Sequence, residues 1–160
     1  MPEKREGWAA EHPSCDRIQN GMIYVFIGIW ALDSFILNVT TLGTLVPTTT
    51  RLLAAVPLFF IGVYLVKSSH DTIFSDEDGG QILVVTGVYR LCRHPMYLGV
   101  VAILLSLCIY SFSIASMLIV AGLFTFYNRF ATYEEKQLVE LFGDEYREYQ
   151  SRVSKWIPSP

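Results

Sequence analysis

Long runs of hydrophobic residues alternate with shorter polar segments along this chain of 160 residues. The first run covers residues 21–42 and contains Asp33 as its only charged residue. The second covers residues 45–66 and has Pro57 inside it. A helix needs about 20 apolar residues to cross the hydrocarbon core of a bilayer. Both runs therefore predict membrane-spanning helices.

A third hydrophobic run, residues 98–127, carries no charge. As a single helix it would be about 45 Å long, which exceeds one crossing and falls short of two full ones. The segment Ser111-Phe112-Ser113 predicts the turn of a helical hairpin, although neither glycine nor proline marks it. Lysines and arginines favour the cytoplasmic side of a membrane. With four crossings they all fall on one side except Arg51, which supports the hairpin.

These runs predict an all-α integral membrane protein with about four transmembrane helices and with both termini and the His94 loop in the cytoplasm. Apolar residues at helical spacing after the fourth helix predict an amphipathic helix along the membrane face. Gly143-Asp144 is expected to end one helix and cap the next, and Gly79-Gly80 predicts a turn. The predicted single domain, 1–160, comprises a cytoplasmic N-terminal segment (1–20), two transmembrane helices (21–70), a cytoplasmic loop (71–95), a helical hairpin (96–130) and a cytoplasmic tail (131–160).

Composition agrees with a membrane protein and excludes one class of partner. Hydrophobic residues make up 52% of the chain and charged residues 17%, which is too apolar for an ordinary soluble domain. The net charge is -3 and no basic cluster is present, so nucleic acid is not expected as a partner. Cys15, Cys92 and Cys108 lack the spacing of a disulfide framework or a metal site, and we expect free thiols and no metal. A reactive role for Cys92 beside Arg93 is the less favoured interpretation.

Polar chemistry brackets the third hydrophobic run on both sides. The run is preceded by Arg90-Leu91-Cys92-Arg93-His94-Pro95-Met96-Tyr97-Leu98-Gly99 and followed by Glu134-Glu135. In a hairpin these segments meet at one membrane face, where their arginines, imidazole, phenol and carboxylates can bind a zwitterionic ligand or one of mixed charge. The alternatives are arginines that anchor to lipid phosphates and glutamates on a solvated helix turn.

At these residues the chain resembles the isoprenylcysteine carboxyl methyltransferase and phospholipid methyltransferase superfamily of integral membrane enzymes. The resemblance covers residues 87–149 and includes Phe142-Gly143-Asp144-x-Tyr146-x-x-Tyr149 after the glutamate pair. It implies S-adenosylmethionine as the methyl donor and S-adenosylhomocysteine as the product. It implies catalytic roles for Arg90, Arg93, His94 and Glu135. It implies donor contacts from Tyr89, His94, Pro95, Tyr97, Leu98, Gly99, Glu134 and Glu135.

The residue types suit such a donor. Arg90 or Arg93 can hold its carboxylate through paired hydrogen bonds, and Glu134 or Glu135 can take its ammonium group or ribose hydroxyls. Adjacent residues on a helix point about 100° apart. We therefore expect one glutamate to face the ligand directly and the other to pair with an arginine.

The acceptor is open at this stage. The resemblance favours an acceptor with an apolar part that enters from the bilayer, first the carboxylate of a prenylated cysteine and otherwise a phospholipid amine or a small thiol. A carboxylate nucleophile needs no base, whereas a thiol or protonated amine needs a proton acceptor such as His94 or a glutamate. A non-catalytic membrane scaffold and a nicotinamide-dependent membrane reductase are alternatives from other classes.

Three further residues carry predictions outside the motif. Asp33, inside the first span, predicts either a functional site or an interhelical hydrogen bond. Tyr127 and Trp156 are interpreted as aromatic residues of the membrane interface.

Overall fold

A computed structural model describes residues 15–74 and 83–157. The helices in these ranges are α1 (Cys15–Ala31), α2 (Thr48–Phe74), α3 (Pro95–Ser111), α4 (Ile114–Phe142) and α5 (Asp144–Arg152). The one β-type pairing in the described ranges is an isolated antiparallel bridge between Thr41 and Ser113. The predicted all-α class is confirmed. The predicted Gly79-Gly80 turn and most of the N-terminal segment lie outside the described residues.

The first helical run ends earlier than the hydrophobic pattern predicts. α1 continues into a π-helical turn, Leu32–Leu37, and the helix stops where Asn38 adopts a left-handed φ of 51°. The reason is Asp33, whose carboxylate accepts hydrogen bonds from the amide and the hydroxyl of Thr40 at 3.0 and 2.7 Å. A carboxylate in an apolar span needs such partners, and satisfying them turns the chain back before Leu42.

Asp33 also joins the first helical run to the hairpin. The Ser113 hydroxyl donates to its carboxylate at 2.6 Å, and the indole nitrogen of Trp30 donates to the carbonyl of Leu107 at 3.1 Å. Of the two interpretations of Asp33, the interhelical hydrogen bond is therefore the one that the structure contains.

α2 is longer than the predicted span and contains Pro57 in its interior. It begins at Thr48, directly after Pro47, and passes Val66 to end at Phe74. The polar residues after Val66 stay helical because helix continuity depends on backbone hydrogen bonds, which hydropathy does not report. Two hydroxyls in this part also bond back one turn, Ser69 to Leu65 at 2.6 Å and Thr72 to Ser68 at 2.7 Å.

The predicted hairpin is confirmed. α3 ends as Phe112 takes a left-handed φ of 54°, and Ser113 caps α4 by accepting a hydrogen bond from the Ser116 amide at 3.2 Å. Within residues 15–74 and 83–157, three helical segments are long and apolar enough to cross a membrane, at 17–37, 48–73 and 114–142, and α3 is a shorter apolar helix of 17 residues. The described part of the chain is thus an all-helical integral membrane protein.

α2 and α3 pack backbone against backbone at a pair of glycines. A Cβ atom added at Gly62 would lie 2.7 Å from the carbonyl oxygen of Gly99, and one added at Gly99 would lie 2.8 Å from that of Gly62. Small residues permit this approach, which is characteristic of helix pairs in membranes. α3 and α4 run in opposite directions on either side of a tight turn, and the start of α3 therefore lies beside the C-terminal half of α4.

Candidate active site

The start of α3 places His94 against two adjacent glutamates of α4. Its Nε2 atom lies 3.1 Å from Oε1 of Glu135, and its Nδ1 atom lies 3.5 Å from Oε2 of Glu134. The side chains are 5, 13 and 12% exposed, in the order His94, Glu135, Glu134. The imidazole reaches both carboxylates because its nitrogens lie on different edges of the ring.

Tyr97 extends this arrangement by one helical turn. Its hydroxyl donates a short hydrogen bond to Oε1 of Glu134, so that glutamate is held by a phenol and an imidazole. The Tyr97 ring stacks on His94 with ring centres 6.0 Å apart and on Tyr127 with ring centres 5.0 Å apart. Tyr127, which the sequence assigns to the membrane interface, is instead buried behind the site.

Arg93 joins three parts of the molecule. Nε and Nη2 of its guanidinium each lie 2.9 Å from Oε1 of Glu135. Its Nη1 donates to the carbonyls of Gln150 and Val153 at 3.0 Å, and its amide donates to the carbonyl of Ser154 at 3.0 Å. All three guanidinium nitrogens are therefore engaged by the protein. We name the five residues Arg93, His94, Tyr97, Glu134 and Glu135 the His94 cluster.

The other residues that the resemblance implicates lie around this cluster. Arg90 ends a 3-10 turn, Gly87–Arg90, where it is exposed and forms no ion pair with another described residue. The carbonyl of Tyr89 accepts a hydrogen bond from the Tyr149 hydroxyl at 2.7 Å and so anchors α5. Among the implicated residues, Arg90 is the cation whose charge the described part of the chain leaves available.

Pro95, Leu98 and Gly99 have packing positions. Pro95 is fully buried at the first position of α3, where its missing amide costs nothing. Leu98 is half-buried, and its amide donates to the His94 carbonyl at 3.1 Å. Gly99 faces α2, so the close approach that it permits is to a helix backbone. These residues position the His94 cluster and add no polar side chain to it.

Sequence reasoning missed the segment that follows α5. Trp156 packs against His94 with ring centres 5.6 Å apart and against Phe124 at 5.0 Å, and its indole nitrogen donates to Oδ1 of Asn128 at 3.1 Å. Lys155 donates to the Thr132 hydroxyl at 2.7 Å and lies 3.9 Å from Oε2 of Glu135. The assignment of Trp156 to the interface overlooked that residues 153–156 fold back, and no local spacing signals this turn.

Electrostatics favour the charged form of His94. Burial alone lowers the pKa of His94, but hydrogen bonds and charge attraction from Glu134 and Glu135 outweigh burial and raise it above its ordinary value of 6.5. The thiol of Cys92 behaves differently, because burial raises its pKa and favours the unreactive neutral form. The free, buried Cys92 is therefore a packing residue.

The site as a whole can bind a ligand of mixed charge. Glu134 has carboxylate oxygens beside a phenol and an imidazole. Trp156 contributes a half-buried ring, and Arg90, in the 3-10 turn before α3, is a cation that forms no ion pair with another described residue. Buried carboxylates next to aromatic rings attract an ammonium or sulfonium group.

Comparison with known proteins identifies relatives of this part of the chain. The family model described as phospholipid methyltransferase matches residues 50–145. A region of 72 residues, 44% of this chain, is 39% identical to methanethiol S-methyltransferase 1 of Bradyrhizobium diazoefficiens and covers 24% of that protein. A region of 94 residues, 58% of the chain, is 32% identical to protein-S-isoprenylcysteine O-methyltransferase of Schizosaccharomyces pombe and covers 39% of it.

A third relative has the same name as the protein from Schizosaccharomyces pombe. Protein-S-isoprenylcysteine O-methyltransferase of Saccharomyces cerevisiae is 36% identical over 84 residues, which are 51% of this chain and 35% of the relative. The matched part of the chain thus spans two-fifths or less of the length of these three relatives.

Proposed function

Since the chain belongs to the phospholipid methyltransferase family, we propose that it transfers a methyl group from S-adenosylmethionine to an acceptor with an apolar part. The leading acceptor is the carboxylate of a prenylated cysteine. The observation that carries the proposal is the His94 cluster, in which two carboxylates, an imidazole and a phenol meet at one end of apolar helices. A polar site at the end of membrane helices suits a polar donor and a lipophilic acceptor.

The chemistry of the chain fits the donor. Glu134 accepts hydrogen bonds from an ammonium group or from ribose hydroxyls, and Arg90 pairs with a carboxylate. The half-buried ring of Trp156 provides a face for an adenine or a sulfonium group. When bound, S-adenosylmethionine supplies an electrophilic methyl group on a positively charged sulfur. Arg93 is left out of this assignment because Glu135 and three carbonyls of residues 150–154 already hold it.

The charge state of His94 favours an acceptor that arrives ionised. Its pKa is raised between the two carboxylates after the opposing effect of burial, and an imidazolium has no lone pair with which to accept a proton. A carboxylate nucleophile requires no proton acceptor. For such an acceptor the site needs only to align the carboxylate with the methyl group of the donor. Positioning of this kind lowers the activation free energy by roughly 7 to 11 kcal/mol in favourable cases.

A small thiol is the second candidate acceptor. One relative, at 39% identity, is named a methanethiol S-methyltransferase. A thiol must lose its proton before attack, and Glu134 is the carboxylate of the His94 cluster that is not paired with Arg93. We propose a cytoplasmic position for the site in either case, because four crossings place every lysine and arginine except Arg51 on its side.

Donor binding can be tested before the acceptor is known. Calorimetric titration of the detergent-purified protein with S-adenosylhomocysteine should give saturable binding at one site. Glu134→Gln should weaken it about tenfold or more, the effect of a lost charge-assisted hydrogen bond. Glu140→Gln, at an exposed position of α4, is the matched control and should bind like the unmodified protein.

The reduced nicotinamide dinucleotide serves as the competing ligand in the same experiment. If the protein binds the dinucleotide but not S-adenosylhomocysteine, the proposal is overturned in favour of a reductase. If folded protein in lipid nanodiscs binds neither ligand, a non-catalytic membrane scaffold is the remaining function. Once donor binding is established, turnover with a prenylcysteine against methanethiol separates the two acceptors.

A further inference from the structure

A second polar site lies at the end of the molecule opposite the His94 cluster. A cavity of about 480 Å³ opens where the first helical run, the start of α2 and the end of α3 meet. We call it the far cavity. Its polar lining comprises Ser34, Asn38, Thr41, Thr44, Thr48, Arg51, Tyr110 and Ser111. Among the described residues, no carboxylate lines it, and its wall is rich in groups that can donate hydrogen bonds.

Arg51 gives the far cavity a positive charge that no ion pair with another described residue neutralises. Its guanidinium donates to the carbonyl of Val46 at 3.2 Å, to the hydroxyl of Thr48 at 3.0 Å and to the carbonyl of Tyr110. These contacts engage each nitrogen once, and each terminal nitrogen carries a second N–H. Asp33 is the only acidic residue between Arg17 and Lys67, and Thr40 and Ser113 hold its carboxylate.

Ser34 adds an independent sign that a ligand belongs here. Its Oγ atom is buried and has no hydrogen-bond partner among the described residues, and the residue lines the far cavity. A buried hydroxyl without a partner is unfavourable in a folded protein. Turned toward the cavity, this hydroxyl would donate to a ligand oxygen there.

The first turn of α2 contributes further donors. α2 begins at Thr48, in the wall of the far cavity, and the first amides of a helix have no partner within it. Together with the helix dipole they favour an anion at this end. The guanidinium and first amides of α2 and the hydroxyl of Ser34 thus lie around one space and come from two elements.

We propose that the far cavity binds a phosphate group, carried by a phospholipid headgroup or present as free phosphate. Phosphate offers several acceptor oxygens and matches the fork of an arginine. The cavity lies at the end of membrane-spanning helices, where lipid headgroups are the abundant source of phosphate. This site is separate from the His94 cluster, and its test does not depend on methyl transfer.

Native mass spectrometry of the protein released from detergent tests the proposal. With added phosphatidylglycerol, one lipid should be retained per protein. Diacylglycerol with the same chains, which lacks the phosphate, should be retained at least fivefold less. Arg51→Gln should reduce retention of phosphatidylglycerol about tenfold. Arg129→Gln removes a charge from an exposed position at the middle of α4, away from the far cavity, and should have no effect.

Ser34→Ala keeps the test informative if Arg51→Gln unfolds the protein. Removing a hydroxyl that has no partner among the described residues should leave the thermal midpoint without ligand unchanged or higher, yet lower phosphate binding. Displacement of the lipid by millimolar inorganic phosphate, with thermal stabilisation by phosphate alone, would support free phosphate as the ligand. Equal retention of the two lipids, or unchanged binding of both phosphate sources by Ser34→Ala and by folded Arg51→Gln, would overturn the proposal.

Discussion

At the scale of single residues, the buried charges of the His94 cluster balance one another. Glu135 contacts Arg93 and His94 and lies near Lys155, and Glu134 contacts His94 and Tyr97. Burying a charge is unfavourable unless partners compensate it. Removing one partner therefore leaves another charge uncompensated, and the members of the cluster depend on each other.

His94 makes stability depend on pH. Its pKa is raised in the folded protein above the ordinary value of 6.5, so its contribution to stability is complete below about pH 6.5 and is lost as pH rises through the folded-state pKa. The thermal midpoint in detergent should accordingly fall with rising pH in this window. His94→Gln, which cannot titrate, should remove that part of the dependence.

The matched control for this measurement is His70→Gln. His70 is exposed on α2, and the variant should keep the pH dependence of the unmodified protein. A flat profile for the unmodified protein, or the same slope in His94→Gln, would contradict the assigned role of His94.

At the scale of helices, the contact between α2 and α3 depends on two glycines. At Gly62 an added Cβ atom would meet the backbone of both Gly99 and Ile103, at 2.7 and 2.9 Å. Backbone atoms cannot rotate away as a side chain does, so the two helices would have to separate. Separation would also shift the start of α3, which carries His94.

Gly62→Ala should therefore destabilise the protein by about 1–3 kcal/mol, the usual cost of forcing extra volume into a packed contact. Thermal unfolding in detergent measures the effect. Gly122→Ala in α4 is the control, because an added Cβ atom there meets nothing within 4 Å. Alanine has a higher helix propensity than glycine, which favours the stability of this variant by up to about 1 kcal/mol. Equal midpoints for the two variants would mean that the α2–α3 contact adapts to an extra methyl group.

The sequence predicts helices better than it predicts their ends. Hydropathy identified the membrane helices, and Ser111-Phe112-Ser113 forms the predicted turn although Phe112 takes the left-handed conformation that usually favours glycine. The predicted end of the first helical run was wrong, because the hydrogen bonds of Asp33 with Thr40 and Ser113 set the observed end. Those bonds join residues up to 80 positions apart, beyond the reach of local periodicity.

The candidate site shows the same division. The two sequence motifs contain all five residues of the His94 cluster. Their meeting was predictable because a helical hairpin brings the two segments that flank it together. The motifs did not distinguish Arg93, which the protein itself engages, from the exposed Arg90. Nor did they place Trp156 beside His94, since that contact depends on how residues 153–156 turn back after α5.

At the scale of the whole molecule, the antiparallel helices place two polar sites at opposite ends of an apolar body. The His94 cluster lies at the start of α3, and the far cavity lies at its end beside Tyr110 and Ser111. Large apolar side chains such as Val56 and Phe60 of α2, 45 and 63% exposed, lie between these ends on the outside. An apolar outer surface of this kind is suited to lipid.

Thiol labelling tests this arrangement. Between Thr49, in the first turn of α2, and Glu145, in the first turn of α5, lie α2, α3 and α4. If each crosses the bilayer, Thr49→Cys and Glu145→Cys should react with a membrane-impermeant maleimide from opposite sides of sealed vesicles. Cys92 and Cys108 are buried, and a Cys15→Ser background removes the remaining thiol. Labelling of both positions from one side would show that one of the three helices does not cross.

The hydrogen bonds of Arg93 determine when the His94 cluster can form during synthesis of the chain. Protein synthesis proceeds from the N-terminus, so Arg93 leaves the ribosome well before Glu135 and before the carbonyls of Gln150, Val153 and Ser154 that it binds. During membrane insertion its guanidinium must rely on water or lipid headgroups for partners. The membrane helices can thus be in place while the His94 cluster is still unfinished, and an interrupted chain would carry a scaffold without a completed site.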